Sequence, residues 1–192
     1  MIEQEAPVPR VILIGNSFCG KTALFEYLKG HKTVVYEQTI GPSNFEYSKN
    51  IKGKNYRVQV WDTAGQEQYR ALGPIYYRNA AAGIFVYDIT EADTFNSIPE
   101  WYRAFADSVG RKSFLFLVGN KLDLEEKRAV DQSTANSFAK DNGFIFFETS
   151  ALEGTNVDLL FQAVFDKVHP IETVSESKEK EVEVVKDNKC KC

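Results

Sequence analysis

The sequence predicts an α/β domain, a doubly wound and mostly parallel sheet of six strands with one antiparallel edge strand. Three observations predict it. The apolar runs Val11 to Ile14, Ala82 to Tyr87, Phe114 to Val118 and Phe144 to Phe147 are short and unalternating, as parallel strands covered on both faces require. Stretches with the spacing of one buried helical face separate them: Leu24/Tyr27/Leu28, Phe95/Ile98/Trp101/Tyr102/Phe105, Ala135/Phe138/Ala139 and Leu159/Leu160/Ala163/Val164/Val168. Between the first helix and the second apolar run, Phe45, Tyr47 and Ile51 alternate with polar residues. Lys52-Gly53-Lys54 then turns the chain into Tyr56, Val58 and Val60, which makes a hairpin. In such sheets ligands bind beyond the carboxyl ends of the strands.

Length and composition fix the class. The chain has 192 residues, 43% of them hydrophobic, and a formal charge of −4, enough for one globular domain with an ordinary core and no second one. No basic run marks a nucleic-acid partner. Residues 1 to 10 carry Glu3, Glu5, Pro7 and Pro9 and do not read as a signal peptide, and no stretch is long and apolar enough for a membrane span. Three cysteines, Cys19, Cys190 and Cys192, cannot frame a disulfide scaffold, which points to a reducing compartment. The expected organisation is a flexible N-terminus over 1–8, one domain over 9–169 and a flexible tail over 170–192. The tail reading rests on residues 171 to 189, which lack aromatics, Leu and Gly.

Directly after the first strand, Gly15-Asn16-Ser17-Phe18-Cys19-Gly20-Lys21-Thr22 spells G-x-x-x-x-G-K-T. Backbone N–H groups of residues 17 to 22 can curl around a phosphate only where Gly15 and Gly20 take turns or close approaches that a Cβ would hinder. The helix that follows aims its positive end at the anion. Lys21 supplies a point charge for β- and γ-phosphates, and the Thr22 hydroxyl is placed to ligate Mg²⁺.

Three later strand ends carry the remaining chemistry. Trp61-Asp62-Thr63-Ala64-Gly65-Gln66-Glu67 closes the hairpin: Asp62 can hold Mg²⁺ through water, the Gly65 N–H can meet a γ-phosphate, and Gln66 can orient an attacking water. Gly119-Asn120-Lys121-Leu122-Asp123 follows the third apolar run. The Asp123 carboxylate can accept from N1–H and the N2 amino group of guanine. Adenine offers an acceptor at N1 and no N2 amino group, so it would leave a buried carboxylate unpaired. Asn120 can brace the phosphate loop, and Lys121 can lay its stem along the base. Glu148-Thr149-Ser150-Ala151 offers a backbone N–H to guanine O6. His31 and His169 read as surface loop residues, and Phe95, Trp101, Tyr102 and Phe105 as core.

With these motifs in this order, the chain resembles the Ras superfamily of small GTPases from about Pro9 to His169. Within it the chain is similar to the Rab branch, through Thr39-Ile40-Gly41, Arg57-Val58-Gln59-Val60-Trp61, Tyr76-Tyr77-Arg78-Asn79-Ala80, Tyr87-Asp88-Ile89-Thr90 and the terminal Cys190-Lys191-Cys192. The resemblance implies a P-loop G domain and a membrane-anchored GTP/GDP switch in vesicle traffic that hydrolyses GTP slowly. The alternative is a nucleotide-dependent binding module with negligible hydrolysis, against which Gln66 argues. A metabolic P-loop kinase would need a second substrate site and an Arg-rich lid. The implied nucleotide contacts are Gly15, Ser17, Phe18, Cys19, Gly20, Lys21, Thr22, Ala23, Tyr36, Thr39, Gly65, Asn120, Lys121, Asp123, Ser150, Ala151 and Leu152. Thr39 joins Thr22 and Asp62 at Mg²⁺, and Gln66 is the implied catalytic residue. Implied partners are an exchange factor, an activating protein, a prenylation escort, a GDP-dissociation inhibitor and effectors, for a monomer that cycles between cytosol and the cytoplasmic face of an endomembrane.

Three departures from the family pattern bear on these expectations. Pro42, Ser43 and Asn44 put three residues between Gly41 and Phe45 where two are usual, which bears on an effector-facing aromatic group of Phe45, Trp61 and Tyr76. Lys32 and Thr33 stand where an aromatic often covers the guanine edge, and Leu152 stands for the usual Lys after Ser-Ala. In the tail, five lysines face six acidic residues from 171 onward, so no basic patch can attract a membrane. Stable anchoring takes two signals, and similarity to the Rab C-x-C ending implies that both are lipids, on Cys190 and Cys192.

Overall fold

The computed structural model of the chain describes residues 7–30, 42–51, 53–63, 73–110 and 112–169. In chain order these form β1 (Arg10–Ile14), α1 (Lys21–Leu28), β2 (Ser43–Ile51), β3 (Lys54–Asp62), α2 (Gly73–Tyr77), β4 (Ala80–Asp88), α3 (Ala92–Asn96) and α4 (Ile98–Val109). They continue with β5 (Phe114–Asn120), a 3-10 turn (Leu122–Lys127), α5 (Gln132–Asp141), β6 (Ile145–Glu148) and α6 (Val157–Val168). One six-stranded sheet runs β2-β3-β1-β4-β5-β6. The β2–β3 pair is antiparallel and each of the other pairings is parallel, as the apolar runs and the hairpin predict.

The unalternating runs are explained by what covers each face. Along β1, Val11 and Leu13 enter one core cluster with Leu24 and Phe25 of α1 and Leu160, Val164 and Phe165 of α6. Ile12 and Ile14 enter the other, with Trp101 and Phe105 of α4 and Ala135 and Ala139 of α5. Successive side chains point to opposite faces of a strand, so a strand buried on both sides is apolar at every position. Each face contributes a layer of helices, and the carboxyl ends of β1, β3, β4 and β5 are left at one rim of the sheet.

Three readings of the sequence are corrected here. The spacing from Phe95 to Phe105 suggests one helix, but the chain makes two, α3 and α4, meeting at Ser97. Pro99 has no N–H to return to the Phe95 carbonyl, which ends the first helix's ladder while Ser97 keeps helical angles. In α6 the buried stripe is Val157, Leu160, Phe161, Val164 and Phe165. Leu159 lies off it and is exposed, one residue out of phase with the predicted face. His169 is not a free surface side chain. Its Nε2 lies 2.8 Å from the Arg57 carbonyl oxygen, and its ring meets Tyr56 and Phe165 at centroid distances of 5.2 and 5.0 Å.

Candidate functional site

The loop after β1 closes on itself. Gly15 has φ of 140° and passes so near β4 that a Cβ there would come within 2.1 Å of the Val86 carbonyl oxygen. Gly20, with φ of 91°, approaches the Asn120 side chain equally closely. Both positions therefore require glycine for the reasons the motif implies. Lys21, the first residue of α1, is buried, and its Nζ donates to the Gly15 and Asn16 carbonyls at 2.9 and 2.7 Å. Burial pushes the Lys21 ammonium below its ordinary pKa, against the opposing pull of Cys19 and Asp62. Such a cation is stabilised by an anion brought into the loop.

Asn16 was missed as a contributor, and it anchors the loop from behind. Its Oδ1 accepts from Trp101 Nε1 at 2.6 Å and its Nδ2 donates to Ser97 Oγ at 3.1 Å. Cys19 is fully buried, and that burial raises its thiol pKa. Ser17 gives its carbonyl to the Cys19 thiol at 3.9 Å, and Ala23 lies in the first turn of α1. Phe18 stands out, with 73% of its surface exposed and φ of 64°, a left-handed backbone that costs a bulky residue energy.

At the end of β3, Asp62 faces the start of α1. The Thr22 hydroxyl donates to Asp62 Oδ2 at 2.7 Å. The other carboxylate oxygen, Oδ1, is buried and has no hydrogen-bond partner among the described residues. Burial raises the Asp62 pKa, and the Thr22 hydrogen bond opposes it. An unpartnered buried carboxylate oxygen beside a hydroxyl is a hard-oxygen donor set of the kind Mg²⁺ takes, directly or through water, so these residues fit the expected ion.

The β5 and β6 ends are tied together and to the phosphate loop. Asn120 is buried: its Nδ2 donates to the Cys19 carbonyl at 2.9 Å, and its Oδ1 accepts from Thr149 Oγ1 and Ala151 N, both at 3.1 Å. Asp123, in the 3-10 turn, accepts the Ser150 hydroxyl at 2.5 Å. Lys121 has φ of 69° and an Nζ–Oδ2 ion pair with Asp88 at 2.5 Å. The other Asp88 oxygen accepts the backbone N–H and hydroxyl of Thr90. The motifs alone assign no role to Asp88 or Thr149. For Asp88 the signal was present: a carboxylate closing the apolar run of β4, at the rim where ligands bind. Ala151 is half-buried, and Leu152 projects into solvent.

The described residues thus bring together the loop 15–22, Asp62, Asn120, Lys121, Asp123, Ser150 and Ala151 at one rim. A sequence model described as Ras family matches residues 10–170. The chain belongs to the Ras family. Ras-family membership agrees with the curated proteins it resembles. It is 39% identical over 163 residues to the Ras-related protein YPTC6 of Chlamydomonas reinhardtii, covering 84% of this chain and 76% of that one. It is 37% identical over the same length to the Ras-related proteins RABA2a of Arabidopsis thaliana and RGP2 of Oryza sativa subsp. japonica, covering 84% of this chain and 75% of each. This Ras-family chain is a small GTPase, an enzyme that binds and hydrolyses GTP.

Tyr36, Thr39, Gly65, Gln66, Cys190 and Cys192 lie outside the described residues. One family-based expectation changes. Trp61 and Tyr76 do meet, with ring centroids 6.2 Å apart. Phe45 does not join them, because it pairs with Val60 and packs into the α1/α6 core. Opposite Trp61 stands Asn44. Successive side chains along β2 point to opposite faces, so with Asn44 opposite Trp61 the Phe45 ring faces away from the Trp61 side. Trp61 Nε1 donates to Gln59 Oε1 at 3.0 Å, and Gln59 Nε2 donates to Asn44 Oδ1 at 3.1 Å, a polar ladder where the third aromatic ring was expected.

Proposed function

We propose that the chain is a Rab-type switch, a G domain over residues 9–169 that hydrolyses GTP slowly and is carried to the cytoplasmic face of an endomembrane by lipids on Cys190 and Cys192. The observation that carries the nucleotide reading is the bond from Asn120 Nδ2 to the Cys19 carbonyl, which couples a base-reading loop to a phosphate-reading loop in one rigid unit. Asp123 reads guanine through N1–H and the N2 amino group, Ser150 fixes that carboxylate, and the Ala151 N–H, which donates to Asn120 Oδ1, is shared with O6, with Leu152 beside it. Lys21 leaves the Gly15 and Asn16 carbonyls for the β- and γ-phosphates. Thr22, Asp62 and Thr39 hold Mg²⁺, which when bound neutralises charge developing on the phosphate oxygens. Gln66 orients the attacking water, the Gly65 N–H meets the γ-phosphate, and Tyr36 and Thr39 engage the nucleotide from the segment between α1 and β2.

Regulation follows the same logic. A bound γ-phosphate engages Thr39 and Gly65, and its loss releases both segments, so exchange factors, activating proteins and effectors read the difference. The tail's lack of a basic patch makes two lipids the anchor, delivered by a prenylation escort and extracted by a GDP-dissociation inhibitor. Single-turnover hydrolysis of GTP and ATP, with and without an activating protein, tests the enzymatic core. GTP alone should turn over, and an arginine supplied by the partner should raise the rate by about 10³ to 10⁵, as it does in this superfamily. Gln66→Leu should bind GTP normally and lose both intrinsic and stimulated hydrolysis; equal rates in the two proteins would remove Gln66 from the mechanism.

A further inference from the structure

The loop joining β6 to α6 is contacted from outside the site by α1. Gly154 has φ of 82°, and a Cβ built there would come within 2.7 Å of both Cε2 and the hydroxyl of Tyr27. Tyr27 sits on the helix whose first turn carries Lys21 and Thr22. Its hydroxyl donates to Asp158 Oδ2 at 3.3 Å, in the first turn of α6. Tyr27 and Ala151 also pack against the same core cluster.

Within the loop, the contacts run back to the base-reading residues. The Gly154 N–H donates to the Ser150 carbonyl at 2.8 Å, the Ser150 N–H donates to the Thr155 carbonyl at 3.1 Å, and the Glu153 N–H donates to Ser150 Oγ at 3.1 Å. That same hydroxyl donates to Asp123 at 2.5 Å. Direct contacts therefore connect the Tyr27 ring to Gly154, Ser150 and Asp123. The first part of the loop is held by Asn120 through Ala151 N and its last residue by Asn156 Nδ2, which donates to the Glu148 carbonyl at 2.9 Å, while the bonds between them close on the loop itself. Those local bonds fix its shape; contact with α1 comes through Tyr27.

We propose that Tyr27 is a positioning residue for the base: its ring, laid over the bare backbone of Gly154, holds the 150–156 loop in place and sets how fast nucleotide leaves. The inference rests on the guanine-site reading above and adds to it a link between α1 and the base. The ring is the effective part, because an exposed hydrogen bond at 3.3 Å lies at the long end of useful geometry. Gly154 is required for the fit, since any side chain there both meets the ring and adopts an unfavourable φ.

Release of a fluorescent GDP analogue from the full chain tests this. Tyr27→Ala should release it about tenfold faster, within the range over which contact networks modulate distant sites, and Tyr27→Phe should restore slow release to within about twofold. Gly154→Ala should also speed release, and the Tyr27→Ala/Gly154→Ala double variant should fall well short of the product of the two effects, because both remove one contact. The fold-acceleration on chelating Mg²⁺ should be the same in every variant; a Tyr27 that merely stabilised α1 would alter it, since Thr22 is on that helix. With a wild type that prefers GDP to ADP, Tyr27→Ala releasing at the wild-type rate, or multiplying fully with Gly154→Ala, overturns the latch alone. A wild type that binds ADP as well as GDP overturns the guanine-site reading and the latch with it.

Discussion

At the Asn120 end of the cleft the polar groups already have partners, whereas at the Lys21 end they are held in arrangements that a ligand would improve. Both Asn120 side-chain atoms are bonded, and Asp123 holds the Ser150 hydroxyl. At the other end Lys21 is buried on two carbonyls with its pKa lowered, and Asp62 buries an oxygen that has no partner among the described residues. The half proposed to read the base is thus assembled in advance, which favours specificity. The phosphate half carries polar groups whose desolvation is offset when anion and cation arrive, which favours a large difference between empty and loaded protein. Strain is not confined to one side: Phe18 and Lys121 both have left-handed backbones, but Lys121 gains a buried carboxylate partner in Asp88 and Phe18 points at solvent.

The largest effect is expected from breaking the preassembled half. Asp123→Asn exchanges an acceptor for a donor opposite N2, so GDP affinity should fall by about 10⁴, the order by which sites built on buried hydrogen bonds reject mismatched partners. Xanthosine diphosphate, which has N1–H and O2, should bind the variant in its place. Competition between the two nucleotides measures the exchange; a variant that still prefers GDP would remove Asp123 from base recognition.

Next comes the joint between halves. In Gly20→Ala the new Cβ would lie 2.1 Å from Asn120 Nδ2 at a φ of 91°, so the bond to the Cys19 carbonyl must give way. Leaving a buried amide unpaired costs about 1–3 kcal/mol, and the left-handed backbone adds about 1–2 kcal/mol. Denaturant unfolding should register a loss of that combined size, and binding titrations a weakening toward GDP and GMP alike. If GMP binding were untouched, the two loops would be independent and the comparison wrong.

How legible this was in the sequence follows the same division. The phosphate loop and the base-reading segments are contiguous, with glycines and polar residues at fixed offsets, so their placement beyond strand ends could be read from strand and helix order alone. What the sequence hid is what depends on packing between distant segments. Asn16 gains its meaning from Trp101, 85 residues away, and Asp88 from Lys121. The break at Ser97 was signalled by Pro99, but the apolar spacing across it is unbroken and outweighed the proline. Register is the clearest case: the family pattern groups Phe45 with Trp61 and Tyr76, but its pairing with Val60 turns the half-buried ring against the core.

A third effect concerns the metal corner and its pH dependence. Burial raises the Asp62 pKa, so the folded, nucleotide-free chain holds this proton more tightly than the unfolded chain does. The stability linked to Asp62 is therefore full at pH below the unfolded carboxylate value and is lost as pH rises through the raised one. Asp62→Asn removes the buried charge. At neutral pH it should raise the melting temperature of the nucleotide-free protein by about 2–4 °C, the shift expected for roughly 1 kcal/mol in a chain of this size. In the same variant, chelating Mg²⁺ should no longer speed GDP release. A variant less stable than wild type when empty would mean that Asp62 serves the fold more than the ion.

The smallest effect separates strain from function at Phe18. The ring is 73% exposed and φ is 64°, so Phe18→Gly loses little packing and relieves the backbone. The left-handed conformation costs a non-glycine residue about 1–2 kcal/mol, while the added freedom of glycine in the unfolded chain takes back about 0.4–1 kcal/mol. The variant should therefore be more stable by up to about 1.6 kcal/mol in denaturant unfolding, with unchanged preference for guanine because Asp123, Ser150 and Asn120 are untouched. Stabilisation with faster nucleotide release would show the strain at Phe18 to be part of how the phosphate loop holds its ligand. Destabilisation would instead show that the ring has a contact in solution that outweighs its backbone cost.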